Sequence, residues 1–205
     1  MDRKNPIFIG CTFVLAVVLV LTMSAGKTEN ATELFYDSDR SDPARIVQMI
    51  ERHFQDGRTD LSSEQIPSVA KFLYEEANLH GIDYRLVLAI IAVESNFRTD
   101  AVSQAGARGI MQIRPILASF IAGIAGIPYG GESDLFEPAN NVRFGLYYLS
   151  WLGSIFKNTN EVLLAYNEGH NRAKRVLARA GDADSRYTRR VMGEYRRNMT
   201  NLPAI

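Results

Sequence analysis

From Leu86 to Val93 the chain reads Leu-Val-Leu-Ala-Ile-Ile-Ala-Val, eight apolar residues without a polar position among them. Such a run is long for an isolated strand, and it has no face that a surface helix would turn to water. It predicts a helix buried on every side, with Asp83 as its cap. A chain with such a helix must wrap other elements around it. The next residue is Glu94, followed by Ser95-Asn96-Phe97. An ionised carboxylate without a partner is costly to bury, so the group tends to keep its proton and titrate higher. A carboxyl that is protonated near neutral pH is what a general acid requires. Glu94 also fits a plainer part, turning to water at the helix end or capping a loop amide, and taken alone it leaves both readings open.

The elements around this helix read as helices too. Asp42-Pro43 is an N-cap followed by proline at the first helical position, and Ile46, Val47, Met49, Ile50 and Phe54 keep a helical period to Gly57. A second helix is expected from Ser62 or Ser63 through Ile66, Val69, Ala70, Leu73 and Ala77, ending at Gly81. Short helices are expected around 110–113 and 116–124, then a glycine-rich loop over 123–131. Pro138 opens a further helix, Asn160 caps one that runs through Tyr166, and 171–180 and 186–197 complete the chain, with Gly181 as a stop between them. No alternating strand pair and no internal repeat is present, so the fold class is mainly α.

The N-terminus is of another kind. After Asp2, Arg3 and Lys4 no charge occurs until Lys27, and the seventeen residues from Ile7 to Met23 are broken only by Gly10, Thr12 and Thr22. That is short for a membrane span and long for the apolar part of a signal peptide. Two readings of 1–26 stand: a signal peptide cleaved near Ser24-Ala25-Gly26, or a signal anchor that keeps 7–23 in the inner membrane. In either case Arg3 and Lys4 stay cytoplasmic and the rest is exported. Cys11, the only cysteine, lies in this segment, so the exported part has none and needs no disulfide. Residues 27–41 read as a linker, 42–81 as N-terminal helices packed on a catalytic domain, and 82–200 as that domain.

Charge is unevenly spread. The chain has 23 basic and 23 acidic residues, a formal net charge of zero, which removes the usual prompt for a nucleic-acid partner. Yet 29–64 holds nine acids against four arginines, while Arg172, Lys174, Arg175, Arg179, Arg186, Arg189, Arg190, Arg196 and Arg197 crowd the C-terminal end. That end is either a solvated helix face or a surface for an anionic polymer or lipid. One cysteine excludes a cysteine-based zinc site, and His53, His80 and His170 show no ligand spacing; neither a metal nor another cofactor is expected.

Beyond Glu94 come Ser103, Gly106, Ala107, Gly109, Met111 and Gln112. Small residues let a loop backbone lie close to a ligand, and Gln112 offers an amide donor and acceptor. Later, Ala165-Tyr166-Asn167-Glu168-Gly169 ends a helix on an aromatic with a hydroxyl and on an amide, a pairing suited to sugars with N-acetyl groups. Together these blocks point to a carbohydrate cleft.

Three ordered blocks resemble the lytic transglycosylases of the soluble lytic murein transglycosylase type, relatives of goose-type lysozyme. The first is Glu94-Ser95-Asn96-Phe97 with Ala101 to Ile113 and Pro115. The second is Asn140-Asn141-Val142, Gly145 and Tyr148-Leu149, and the third is Ala165-Tyr166-Asn167 with Gly169. The likeness covers 82–178. It implies a lysozyme-like helical fold with a substrate cleft, located in a bacterial cell envelope. It also implies cleavage of the β-1,4 bond between N-acetylmuramic acid and N-acetylglucosamine in peptidoglycan glycan strands. By analogy Glu94 is the single catalytic acid/base of a non-hydrolytic reaction that leaves 1,6-anhydro ends. Ser103, Met111, Gln112, Tyr166, Asn167 and Tyr187 match positions that line the saccharide site. Two positions depart from the pattern: Glu168 stands where the family commonly has a small residue, and His170 where it often has proline. A carboxylate there either serves as a base for water, as in a lysozyme-type hydrolase, or faces solvent or meets one of the nearby arginines. A cleft that binds peptidoglycan without cutting it is the remaining alternative.

Overall fold

In a computed structural model of the chain, residues 42–204 are described. The apolar run 7–23, the linker and Cys11 lie outside them. Among the described residues no helix is long and apolar enough to cross a membrane. The architecture is mainly helical, and among the described residues β structure is limited to the isolated bridges Val102–Arg108 and Arg108–Ile113.

Helix α1, Pro43–Asp56, starts where the Asp42 carboxylate accepts the Ala44 N–H at 3.0 Å, and it buries Ile46, Ile50 and Phe54, four residues apart. Helix α2, Ile66–Leu79, packs on α1 and buries Val69, Ala70, Leu73 and Ala77. It begins later than Ser62 or Ser63. Proline 67 has no N–H for the Ser63 carbonyl, so the ladder is interrupted there although the Ile66 N–H still reaches the Ser62 carbonyl at 3.2 Å, and 63–65 form a turn.

Helix α3, Tyr84–Glu94, is the buried rod that its sequence demands: Val87, Leu88, Ala89, Ile90 and Ile91 have no exposed surface. Asp83 caps it by accepting the Arg85 N–H at 2.9 Å. The last helix wraps this rod. Following α4 (Pro115–Ala125), a 3-10 turn (Glu132–Phe136), α5 (Pro138–Gly153), α6 (Thr159–Glu168) and α7 (His170–Ala180), α8 spans Arg186–Asn201 and lies antiparallel against α3. Their register is fixed at both ends. Near the start of α3, the Asn198 amide donates to the Arg85 carbonyl at 2.9 Å and the Tyr195 hydroxyl to Asp83 at 2.8 Å. At the far end of α3, Tyr187 meets Glu94.

Three other sequence expectations shift. Asn158, not Asn160, caps α6: its side-chain oxygen accepts the Glu161 N–H, and Glu161 reaches back to the Lys157 N–H, each at 3.0 Å. Helix α4 runs past Gly123 and stops at Gly126, which takes the left-handed conformation. Residues 110–113 are a tight turn and not a helix. Arg108 and Ile113 exchange two backbone hydrogen bonds at 3.0 Å, which requires left-handed backbone at Gly109 (φ 74°) and Gln112 (φ 54°).

That turn is pinned by one side chain. Asn141, fully buried on α5, accepts the Met111 N–H at 2.7 Å and donates to the Arg108 and Leu135 carbonyls at 2.8 and 2.7 Å. Gly109 passes so close to Asn141 that a Cβ there would strike both its amide and the Leu135 carbonyl. On the other side, the Ser95 hydroxyl donates to the Ile110 carbonyl at 2.7 Å, tying the turn to the end of α3. Asn141→Ala would strand the buried Met111 N–H and the Leu135 carbonyl, and would leave the Arg108 carbonyl only its bond from the Ile113 N–H. It is expected to cost about 3 kcal/mol or more, read as a lowered urea midpoint with an unchanged slope.

Candidate active site

The turn from 101 to 113, the end of α3 and the end of α6 enclose a cleft of about 390 Å³. Glu94, Ser103, Gln112, Tyr166 and Asn167 all line it, beside Tyr148, Arg114, Ile116, Leu117 and Glu168. Glu94 and Tyr166 therefore face one groove, the condition for two groups to act on one substrate bond.

Glu94 stands at the point where α3 leaves the core. Its Oε1 accepts the Tyr187 hydroxyl at 2.7 Å. Burial pushes the carboxyl up from 4.5 to about 7, against the Tyr187 hydrogen bond and the Arg190 guanidinium, which both favour the ionised form. Burial also drives the Tyr187 and Tyr166 hydroxyls well above their ordinary range, and the Glu94 charge adds to it, so both phenols remain donors.

Several side chains are already spent. The Tyr166 hydroxyl donates to the Met111 carbonyl at 2.8 Å, which leaves chiefly the ring for a ligand. Both hydrogens on Gln112 Nε2 go to loop carbonyls, Ala101 at 3.1 Å and Gly109 at 2.9 Å. Gln112 thus offers the cleft an acceptor oxygen instead of the donor–acceptor pair expected from its type. The Ser103 hydroxyl accepts the Ala107 N–H at 3.0 Å and keeps its own proton to donate.

Two expected site residues sit elsewhere. Met111 has no exposed surface and lies beneath the cleft floor, its sulfur packed where a side chain on Gly145 would otherwise be. Because Asn141 and Tyr166 hold its backbone, its side chain is turned into the core. Tyr187 stands behind Glu94 and touches the carboxyl without lining the cleft. Glu168 is at the rim, 2.6 Å from the Arg172 guanidinium one turn away, so the arginine reading of this departure holds. His170 packs edge-on against Trp151, ring centroids 5.1 Å apart.

Tyr148 was legible only as part of a family block and Arg190 only as part of the basic C-terminal end, and neither was expected at the site. Tyr148 tilts against Tyr166 with centroids 5.6 Å apart and stacks on Trp151 at 5.9 Å, extending the aromatic wall. Its signal was the Gly145-x-x-Tyr148 spacing, which puts both residues on one face of α5. Arg190 lies one turn after Tyr187 on α8, a spacing that could have been read as soon as Tyr187 was a candidate.

The Transglycosylase SLT domain family matches residues 72–188, more than half of the chain, and the chain belongs to that family. Among similar proteins are a Haemophilus influenzae chain named as a soluble lytic murein transglycosylase, 38% identical over 125 residues, and the membrane-bound lytic murein transglycosylase C of Mannheimia succiniciproducens, 30% identical over 162 residues. The matches cover 59% and 73% of this chain but 21% and 43% of those proteins, so this chain spans less than half of the length of either. In fold it is similar to the 70 kDa soluble lytic transglycosylase of Escherichia coli, with a TM-score of 0.59 at 18% identity, over 79% of this chain and 31% of the other.

The buried carboxyl should be visible in stability. Between 4.5 and about 7 the folded protein holds a proton that the unfolded chain has released, so stability falls as pH rises through that window. Glu94→Gln keeps an oxygen for Tyr187 and removes the titration. Relative to wild type it is expected to gain up to about 3 kcal/mol at about pH 8 and little at about pH 4, measured by urea unfolding at both.

Proposed function

We propose that this chain is a lytic transglycosylase of the bacterial cell envelope. It cleaves the β-1,4 bond between N-acetylmuramic acid and N-acetylglucosamine without water and leaves 1,6-anhydro-N-acetylmuramic acid ends. The reading is carried by one observation: the cleft has one carboxyl, Glu94, that keeps its proton to about neutral pH, and the other carboxyl lining it, Glu168, is engaged by Arg172. Hydrolysis through the common two-carboxylate schemes needs a second acidic group free to attack or to activate water.

Protonated Glu94 donates to the glycosidic oxygen as the bond breaks, and the substrate's N-acetyl group assists at the anomeric carbon. The resulting carboxylate is stabilised by the Tyr187 hydroxyl and by Arg190, the two groups that already favour its charged form. It then takes the proton of the sugar's C6 hydroxyl, whose oxygen closes the anhydro ring, and Glu94 is returned to its starting state. The Tyr148 and Tyr166 rings offer apolar faces to the sugars. The Ser103 hydroxyl, the Gln112 oxygen and the Asn167 amide meet polar substituents such as the N-acetyl groups. On this reading residues 82–200 form the catalytic domain, braced by helices in 42–81, and 1–26 export the chain as a signal peptide or an anchor.

Digestion of purified murein with the full chain, followed by mass spectrometry, is the direct test. The products are expected to be lighter by one water than hydrolysis products; reducing-end sugars would make the protein a hydrolase, and no release would make it a binding protein. Glu94→Gln should cut the rate by about 10²–10⁴ while retaining glycan binding. The wild-type rate should fall above about pH 7, by about tenfold per pH unit, as the acid form disappears. Tyr187→Phe removes a bond that favours the charged carboxylate, so this alkaline limb should move to higher pH.

A further inference from the structure

Residues 98–114, which carry the turn that walls the cleft, hold three arginines, and two of them are spent. Arg98 pairs with Asp100 at 2.8 Å, and Arg108 pairs with Glu132 while its guanidinium lies over the Phe136 ring. Arg114 lines the cleft itself and is exposed, and among the described residues it has no carboxylate within ion-pair distance. The carboxyls that line the cleft are held by others, Glu94 by the Tyr187 hydroxyl and Glu168 by Arg172. The guanidinium that favours the Glu94 charge is Arg190. Arg114 is therefore an unmatched positive charge in the groove that holds the acid.

Its place is fixed by its neighbours in the chain. Before it, Ile113 exchanges two backbone hydrogen bonds with Arg108 at 3.0 Å. After it, Pro115 opens α4 and keeps Arg114 extended, with φ −79° and ψ 139°. The Arg114 carbonyl accepts the Leu117 and Ala118 N–H groups at 2.9 and 3.0 Å, so the backbone under the side chain is tied on both sides. Arg114 also falls between the positions that carry the family resemblance, which stop at Ile113 and resume at Pro115.

A planar guanidinium fork matches a carboxylate through two parallel hydrogen bonds. Of the two sugars in the strand, N-acetylglucosamine has no charge to offer it. N-acetylmuramic acid bears a 3-O-lactyl group that ends in a carboxyl, free in a peptide-free strand and otherwise amide-linked to a peptide with carboxyls of its own. Resting on the glycan reading of the cleft, we propose that Arg114 binds a carboxylate carried on the lactyl side of muramic acid. The two sugars alternate, so a strand shifted by one ring would set a neutral sugar against Arg114. Arg114 thereby fixes which sugar lies on each side of Glu94, and with it which of the two alternating bonds is cut.

Binding is read apart from cleavage, by calorimetry on the full chain carrying Glu94→Gln. It is titrated with uncrosslinked peptide-bearing strands, with peptide-free strands, and with peptide-free strands whose lactyl carboxyls are converted to methylamides. Adding Arg114→Gln is expected to weaken binding of carboxylate-bearing strands about fivefold, a loss that shrinks as salt rises, and to leave the methylamide strands bound as before. A loss on peptide-free strands assigns the lactyl carboxylate, and a loss confined to peptide-bearing strands assigns a peptide carboxylate. Arg58→Gln, which removes one charge outside the cleft, should leave every affinity unchanged. An equal loss from Arg58→Gln, a loss that persists on the methylamides, or no loss on either charged strand overturns the proposal and leaves the glycan reading standing. Failure of the chain with Arg114 intact to bind any strand overturns the two together.

Discussion

The fold turns on the desolvation of α3 and on what that does to its last residue. A helix with no polar face is stable only when it is enclosed, and α8 encloses it by lying antiparallel along it. Glu94 is the first polar group after the run, so it sits where the core gives way to the cleft. It is far enough out to meet a ligand and far enough in for burial to outweigh both Tyr187 and Arg190. The register of the α3–α8 pair, held at the other end by Asn198 and Tyr195, delivers Tyr187 to that carboxyl across 93 residues of sequence.

A second node, Asn141, holds the opposite wall. With its three hydrogen bonds it supports a turn that carries positive φ angles at Gly109 and at Gln112, a residue type that rarely adopts them. The cleft wall is therefore largely backbone, and side chains of apparent ligand-binding type serve to brace it. Gln112 ties down two carbonyls, Tyr166 ties down the Met111 carbonyl, and Met111 fills the space left by Gly145. What remains for a ligand is an acceptor oxygen, a serine proton, an exposed amide and a pair of aromatic rings. Stability and recognition are thus drawn from the same few residues, and a change at any of them acts on both.

Much of this was legible along the chain. The apolar run marked the central helix, Asp42, Asp83 and Gly181 marked element ends, and an acidic residue directly after a polar-free stretch marked the group that titrates high. Short-range chemistry accounts for these, because a cap or a missing polar face acts within a turn or two. The miscast elements failed for equally local reasons. Pro67 removes the bond to the Ser63 carbonyl and so interrupts the ladder before α2. The apolar string 110–113 imitates a helix although its flanking left-handed residues close a turn. Two candidate caps two residues apart, Asn158 and Asn160, were decided by the return bond from Glu161.

By itself the sequence determined a helical class, a buried central helix, a carboxyl with reason to hold its proton, and blocks in an order that belongs to one family. Tertiary structure alone decided which polar side chains are free. That Met111 lies under the floor and that Tyr187 stands behind Glu94 follow from packing between distant segments, whereas the Glu168–Arg172 pair is local, one turn apart. The physical reason is that a side chain's chemistry is set by its partners. The bonds of Asn141 and Tyr166 to Met111 and of Tyr187 to Glu94 span 30 to 93 residues, separations no periodicity or spacing encodes.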